Sequence, residues 1–224
     1  MSIAVVDAGL AYQRRTFADF EEASIFSDRI RIDALADANL SAHAALMIPC
    51  RTPGHRLAPH RKMLDRYVRE GGLLFVMGET SPDLFLNGLR FTLEPTNFWW
   101  WREPGLDLGV KVEKPSHPAL LGLTDKDCAW HVHGIVSVPE GGEVLISWSP
   151  TSQVSANGAA GALMVDYPIG KGRVLVTSLD PIYHHGSGFM PATTRFLERF
   201  LPNAVAYAAG HKKAVGLPLG LKTA

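Results

Sequence analysis

The feature that most constrains this chain is a pair of short, wholly apolar runs, residues 44–49 (AALMIP) and 73–77 (LLFVM), flanking a helix-spaced segment. Each run is long enough for a strand and too short for a buried helix, so both read as strands covered on two faces. Between them Pro59 opens a stretch with Leu57, Leu64, Tyr67 and Val68 at helical spacing, and Gly71-Gly72 stops it. A strand, helix, strand unit of this length predicts a right-handed parallel crossover. Residues 3–6 (IAVV), halted by Asp7-Ala8-Gly9, read as the first strand.

From residue 90 to about 140 the texture changes to Trp, Pro and scattered charge, with strand candidates at 108–112 and 135–138. Regular patterning returns at 144–148, 162–167 and 173–178, the last two joined by a hairpin-like turn, Pro168-Ile169-Gly170-Lys171-Gly172. That turn is no phosphate loop, because the glycine spacing and the Ser/Thr after the lysine are missing. Phe196, Leu197, Phe200 and Leu201 form a helix stripe, and Pro202 is expected to start a second helical piece through Tyr207. At 224 residues the chain suits one well-filled core better than two. The expectation is a single α/β domain over 1–209, with an insertion at about 90–140 and a loosely ordered, flexible tail at 210–224.

Charge narrows the partners. Lys plus Arg and Asp plus Glu number 22 each, so no net field draws the chain to nucleic acid or an anionic membrane. Arg56, Arg61, Lys62, Arg66 and Arg69 then read as the solvated face of their helix. No segment reaches the roughly 18 consecutive apolar residues of a membrane span, and the first residues lack the pattern of a signal peptide. Two cysteines, Cys50 and Cys128, make no disulfide framework or zinc clamp, so a reducing cytoplasm is expected. The neutral balance favours a polar small molecule as partner.

Three stretches together resemble the class I glutamine amidotransferase-like superfamily, most closely its trehalose-utilisation (ThuA-like) branch. They are residues 64–77 (LDRYVREGGLLFVM), His117-Pro118-Ala119-Leu120-Leu121-Gly122-Leu123, and residues 170–178 (GKGRVLVTS) with the helix ending Val205-Ala206-Tyr207-Ala208-Ala209-Gly210. The resemblance implies a flavodoxin-like, doubly wound, mostly parallel sheet with helices on both faces. It also locates two departures. Where the superfamily's glutaminases carry a cysteine nucleophile, this chain reads Gly78-Glu79-Thr80, and where they carry a His-Pro-Glu base it reads Asp180-Pro181-Ile182. Thiolate attack needs a sulfur and an activating base, so glutamine hydrolysis by that route is not expected. The histidine that the ThuA-like branch has at its first turn is absent as well.

In such a sheet, ligands bind outside the carboxyl ends of the strands, where residues 7–13, 78–83 and 180–188 should meet. The last of these, DPIYHHGSG, brings Asp180, Tyr183, His184 and His185 together, and Glu79 with His184 are the candidate catalytic groups. Trp130-His131-Val132-His133 would place His131 and His133 on one face of an extended segment, about 7 Å apart, where they could share a divalent metal. They could equally hydrogen-bond within a polar pocket. Glu79 could act as a general base or cap a short helix near Pro82. Trp99 and Trp101 would share one face, fit to stack on a sugar or to bury in a lid or oligomer contact, with Arg102 beside them to pair with a ligand. Cys50 lacks a glycine-flanked elbow, and Cys128 lies near Asp125 and Asp127, whose charge opposes a thiolate.

Three functional expectations follow. The first is a non-glutaminase binding module for a polar small molecule, carbohydrate among the candidates. The second is a metal-assisted hydrolase or isomerase of a sugar or polyol, with His131 and His133 as ligands and Glu79 as base. The third, compatible with either, is a homo-oligomer built through the Trp-rich insertion and the glycine-rich tail.

Overall fold

The computed structural model describes residues 2–216. Its sheet has ten strands. Five run parallel in the order β2 (Phe26–Arg31), β1 (Ile3–Asp7), β3 (Ala45–Ile48), β4 (Leu73–Met77) and β10 (Gly172–Thr177). Beyond β10 the pairing turns antiparallel, through β9 (Gly161–Ile169) to β7 (Gly134–Val136) and β5 (Phe91–Leu93), while β8 (Glu143–Trp148) joins β9 to β6 (Val110–Val112). The fold is thus a mixed α/β, flavodoxin-like one, and the Trp-rich segment extends its sheet on one side.

Alternation along the strands divides the interior in two. Ile3, Val5, Met47, Phe75 and Leu175 face α1 (Ala11–Glu22) and α5 (Pro191–Ala214) through Phe17, Phe20, Phe196 and Phe200. Ala4, Val6, Leu46, Leu74 and Val176 face α3 (Arg61–Arg69) through Leu64, Tyr67 and Val68. The period of two that puts successive side chains on opposite faces therefore demands helices on both. The helix α3 ends where Gly71 adopts φ +111°, with Gly71 N bonded to Val68 O and Gly72 N to Tyr67 O, so the orphan carbonyls are met before the chain turns into β4. Between β3 and α3 lies α2 (Gly54–Leu57), and after β10 comes α4 (Pro181–His184).

Among the elements without a counterpart in the sequence expectations are α1, β2, β5 and α4; β2 escaped because its edge-strand sequence FSDRIR mixes polar and apolar residues. A second difference lies at Pro202. The chain does not break there; α5 runs unbroken from Pro191 to Ala214 with Pro202 inside. Phe196, Phe200, Leu201, Ala204 and Ala208 are all buried along one face, and that packing outweighs the hydrogen bond proline forgoes. Helix therefore replaces the expected loose tail over 210–214, while Pro218 and Gly220 lie outside the described residues.

The segment 117–123 is a structural joint. His117 Nδ1 accepts from Ala119 N at 3.2 Å, which leaves the proton on Nε2 to donate to Asp166 at 3.1 Å. Fully buried Asp166 also takes Arg173 Nε at 2.9 Å and the Tyr207 hydroxyl, tying β9, β10, α5 and this segment together. Burial alone would raise the Asp166 carboxyl, but hydrogen bonds from His117 and Tyr207 and the Arg173 charge hold it below its ordinary range.

Candidate functional site

The loops leaving β3, β4 and β10 meet at the carboxyl edge of the parallel strands, and the insertion lays residues 130–133 across them. Their approach is close. A Cβ on Gly78 would stand 2.4 Å from Cys50 Cβ and 3.1 Å from Asp180 Cβ, and Gly78 has φ +62°, so only glycine fits there. Gly134 is equally confined, since a Cβ would lie 2.2 Å from Thr92 O, and this contact fixes β7 against β5 just after His133.

Asp180, wholly buried, forms the floor. Its Oδ1 accepts from Trp130 Nε1 at 3.0 Å and its Oδ2 lies 3.2 Å from His133 Nε2. The other nitrogen of that ring, Nδ1, is 3.1 Å from Glu79 Oε1. Arg51 Nη2 closes the array at 2.9 Å from Glu79 Oε2 and 3.9 Å from Asp180 Oδ2. Burial disfavours charge on His133, yet the hydrogen bonds and charges of Asp180 and Glu79 prevail and push its pKa to about 9. His133 is therefore an imidazolium at neutral pH, donating from both nitrogens. Its hydrogen bond, together with its charge and that of Arg51, lowers Glu79 against the opposing effect of burial.

A second imidazole pair sits beside this array. His131 Nδ1 and His184 Nε2 are 3.0 Å apart, and His184 Nε2 is 3.7 Å from Asp180 Oδ2. Burial and the neighbouring His184 bring His131 down to about 4, and burial also lowers His184. Both rings are thus neutral at pH 7, one donating to the other. Aromatic rings line the surround: Phe98 lies 4.8 Å from His131 and 5.0 Å from His133, and Tyr183 carries the Arg51 guanidinium 3.7 Å above its centroid and meets Tyr12 edge-on.

Of the residues singled out in the sequence, Glu79, His131, His133, Asp180, Tyr183 and His184 come together here. His185 does not join them: its Nδ1 bonds Thr16 Oγ1 at 3.0 Å and its ring packs on Phe20, both on α1. The extended segment expected at Trp99–Trp101 is a short helical turn instead, Trp100–Arg102; Trp99 and Trp101, ring centroids 6.0 Å apart, stand 61% and 45% exposed at the surface with Arg102 near the Trp99 ring. The Trp-rich segment reaches the site through Phe98 instead. It is anchored by Trp100, whose indole donates to Trp130 O at 2.7 Å. A separate cavity of 730 Å³ lies alongside, lined by Trp100, Leu106, Val110, Asp125 and Lys126, and includes none of the charged array.

His131 and His133 were the paired metal ligands expected from spacing. The structure divides them, with His131 turned to His184, and groups Glu79, His133 and Asp180, whose ligand atoms all lie within 4.8 Å of one another. Arg51, Trp130 and Phe98 are further parts of the site that the sequence reading missed. For Arg51 a signal existed: it follows the apolar run ending at Pro49, on the same sheet edge as Glu79. Trp130 and Phe98 carry no signal that separates them from core residues. Cys50, under Gly78, is fully buried, and burial pushes its thiol up and out of nucleophilic range.

No protein-family model and no curated protein matches this chain. Solved structures do. One is a protein described as a GMP synthase subunit from Thermoplasma acidophilum, with TM-score 0.60 and 13% identity over 95% of this chain and 98% of that one. A cytoplasmic protein from Salmonella typhimurium matches with TM-score 0.58 and 11% identity over 92% and 98%. A β-galactosidase from Bacillus circulans matches with TM-score 0.57 and 13% identity over 95% of this chain, which spans 31% of that enzyme. At such identities the likeness concerns the fold alone, a mixed α/β, flavodoxin-like one.

Proposed function

We propose that this chain is a non-glutaminase relative of the amidotransferases, on the ThuA-like side, that binds a polar small molecule of the carbohydrate class at the carboxyl edge of its sheet. The observation that carries the reading is Glu79 in the nucleophile position, hydrogen-bonded to His133, whose far nitrogen is held by Asp180. A carboxylate held below its ordinary range by an imidazolium and a guanidinium is a firm acceptor for hydroxyl groups and a poor nucleophile toward an amide. With Tyr183 covered by Arg51, the partly exposed ring of Phe98 supplies the apolar face on which a sugar stacks, and the array offers acceptors and donors side by side.

Two measurements test this. Purified protein incubated with glutamine should release no ammonia above background; turnover at an ordinary enzymatic rate defeats the reading. Ligand-observed NMR with a panel of neutral mono- and disaccharides should show saturable binding that Glu79→Gln weakens at least tenfold.

A second reading, a metal-assisted hydrolase or isomerase of a sugar or polyol, draws on the convergence of Glu79, His133 and Asp180. Three such donors suit zinc, manganese or iron. Against it stands the Arg51 guanidinium, 2.9 Å from Glu79 Oε2 and 3.9 Å from Asp180 Oδ2, a fixed positive charge beside the place an ion would take. Elemental analysis of protein purified without a metal-affinity tag separates the readings: near-stoichiometric metal favours the second, and below about a tenth of an equivalent removes it.

A further inference from the structure

Among the described residues, three other than glycine have a positive φ: Ser24 (59°), Arg51 (60°) and Ser81 (48°). Arg51 and Ser81 lie in the two loops that deliver the charged array. A left-handed backbone is unfavourable for any residue with a Cβ, and persists only where surrounding structure over-determines it. At Arg51 that structure is visible. Buried Gln13 donates from Nε2 to Cys50 O and to Thr52 Oγ1, both at 3.2 Å, and its Oε1 accepts from Ala8 N at 3.2 Å. The Tyr12 hydroxyl reaches the same carbonyl at 3.4 Å, and Thr52 Oγ1 bonds back to Pro49 O at 2.7 Å. Four residues thus hold one turn in a conformation that glycine would adopt without strain.

What the turn achieves is the placement of a guanidinium. The Arg51 guanidinium sits 3.7 Å over the Tyr183 ring with one nitrogen on Glu79, and its buried Nε has no hydrogen-bond partner. Its side chain is 35% exposed, and a pair open to water to that degree adds little to folding, so stability does not account for the strained arginine. Recognition does. The Arg51 guanidinium lies 2.9 Å from Glu79 and 3.9 Å from Asp180, and His133 bridges the same two carboxylates. A ligand carboxylate would face the carboxylates of Glu79 and Asp180, and a ligand ammonium the fixed guanidinium of Arg51. Adjacent hydroxyls meet neither penalty, since one donates to Glu79 while its neighbour accepts from Arg51.

We infer that Arg51 is a ligand-binding residue, held in a strained turn by Gln13, that acts with Glu79 as a clamp on adjacent hydroxyls of an uncharged polyol. The inference rests on the proposed carbohydrate reading and narrows it to neutral ligands read through Arg51.

The test uses the full chain and compares wild type with Arg51→Gly and Arg51→Lys. Glucose, galactose, myo-inositol, glucuronate and glucosamine are titrated at pH 7 by ligand-observed NMR, and thermal melting is recorded for each protein. A neutral member should bind at least tenfold more tightly than glucuronate or glucosamine. Arg51→Gly should lose at least tenfold in that affinity yet melt no lower than wild type, and up to about 4 °C higher, because glycine relieves the turn. Arg51→Lys keeps the charge without the planar fork and should not restore binding. Should a neutral polyol bind Arg51→Gly as well as wild type, or glucuronate bind as well as glucose, the inference falls while the carbohydrate reading stands. Should Arg51→Gly melt several degrees lower, Arg51 is a structural residue and the inference falls by that route. Absence of binding by every member removes both.

Discussion

His133 and Asp180 meet through Nε2 and Oδ2 at 3.2 Å, a charged hydrogen bond that joins the insertion to the loop after the last parallel strand. The bond makes the fold sensitive to pH in a definite direction. Folding raises the His133 pKa from the ordinary 6.5 to about 9, so its stabilising contribution is fully present below about pH 6.5 and is lost as pH rises through 9. Urea unfolding of wild type and His133→Gln at pH 6 and pH 10 measures it. The stability difference between the two proteins should shrink by about 3 kcal/mol across that range. A difference independent of pH would show that the imidazole is neutral in the folded protein.

Asp166 is the second charged residue on which the fold depends. It is fully buried and serves His117, Arg173 and Tyr207 at once, so Asp166→Ala leaves the partly buried Arg173 guanidinium without its counterion and two further donors without an acceptor. The expected loss is about 3–5 kcal/mol, or roughly 6–20 °C in melting temperature for a chain of this size. Because the Asp166 carboxyl is held below its ordinary range, wild type should lose this contribution as pH falls through the folded value, and the variant should lack that acid transition.

Gly78→Ala should be among the most damaging single-methyl substitutions in the chain. It combines a left-handed φ of +62° with a Cβ placed 2.4 Å from Cys50 Cβ. Since the clash is with the Cβ and not the sulfur, Cys50→Ala should fail to rescue it. Melting of the single and double variants checks both statements, and recovery in the double variant would contradict the packing described.

We propose the exposed pair Trp99 and Trp101, with ring centroids 6.0 Å apart, as a contact for self-association. Light scattering on Trp99→Ala/Trp101→Ala should report a smaller mass than wild type. An unchanged mass assigns the pair no part in assembly.

The parallel frame was readable from the sequence because β1, β3, β4 and β10 are continuous apolar runs bounded by turns, a pattern with few alternatives. Glu79 and Asp180 were readable for the same reason: they directly follow strands whose ends face one edge. β2 was not, since an edge strand of alternating polarity gives the same letters as a loop. The unbroken α5 was hidden by Pro202, whose local preference yields to a buried face that only tertiary packing reveals. The pairing of His131 with His184, fifty-three positions apart, and the diversion of His185 to α1 depend on side-chain direction and lie beyond any spacing argument. Trp99 and Trp101 attracted attention by their size, whereas the neighbouring Phe98 makes the contact with the site, a distinction fixed by which way a short helical turn faces.

Phe98, His131 and His133 all arrive on one stretch of chain, which pairs only with the outer antiparallel strands, while Glu79, Arg51 and Asp180 belong to the parallel frame. Half of the contact surface can therefore vary around the joint at His117. Replacements near Phe98 and His131 would re-specify what the protein recognises, provided His117 still reaches Asp166, an imidazole still reaches Asp180 and a glycine follows it to pass Thr92.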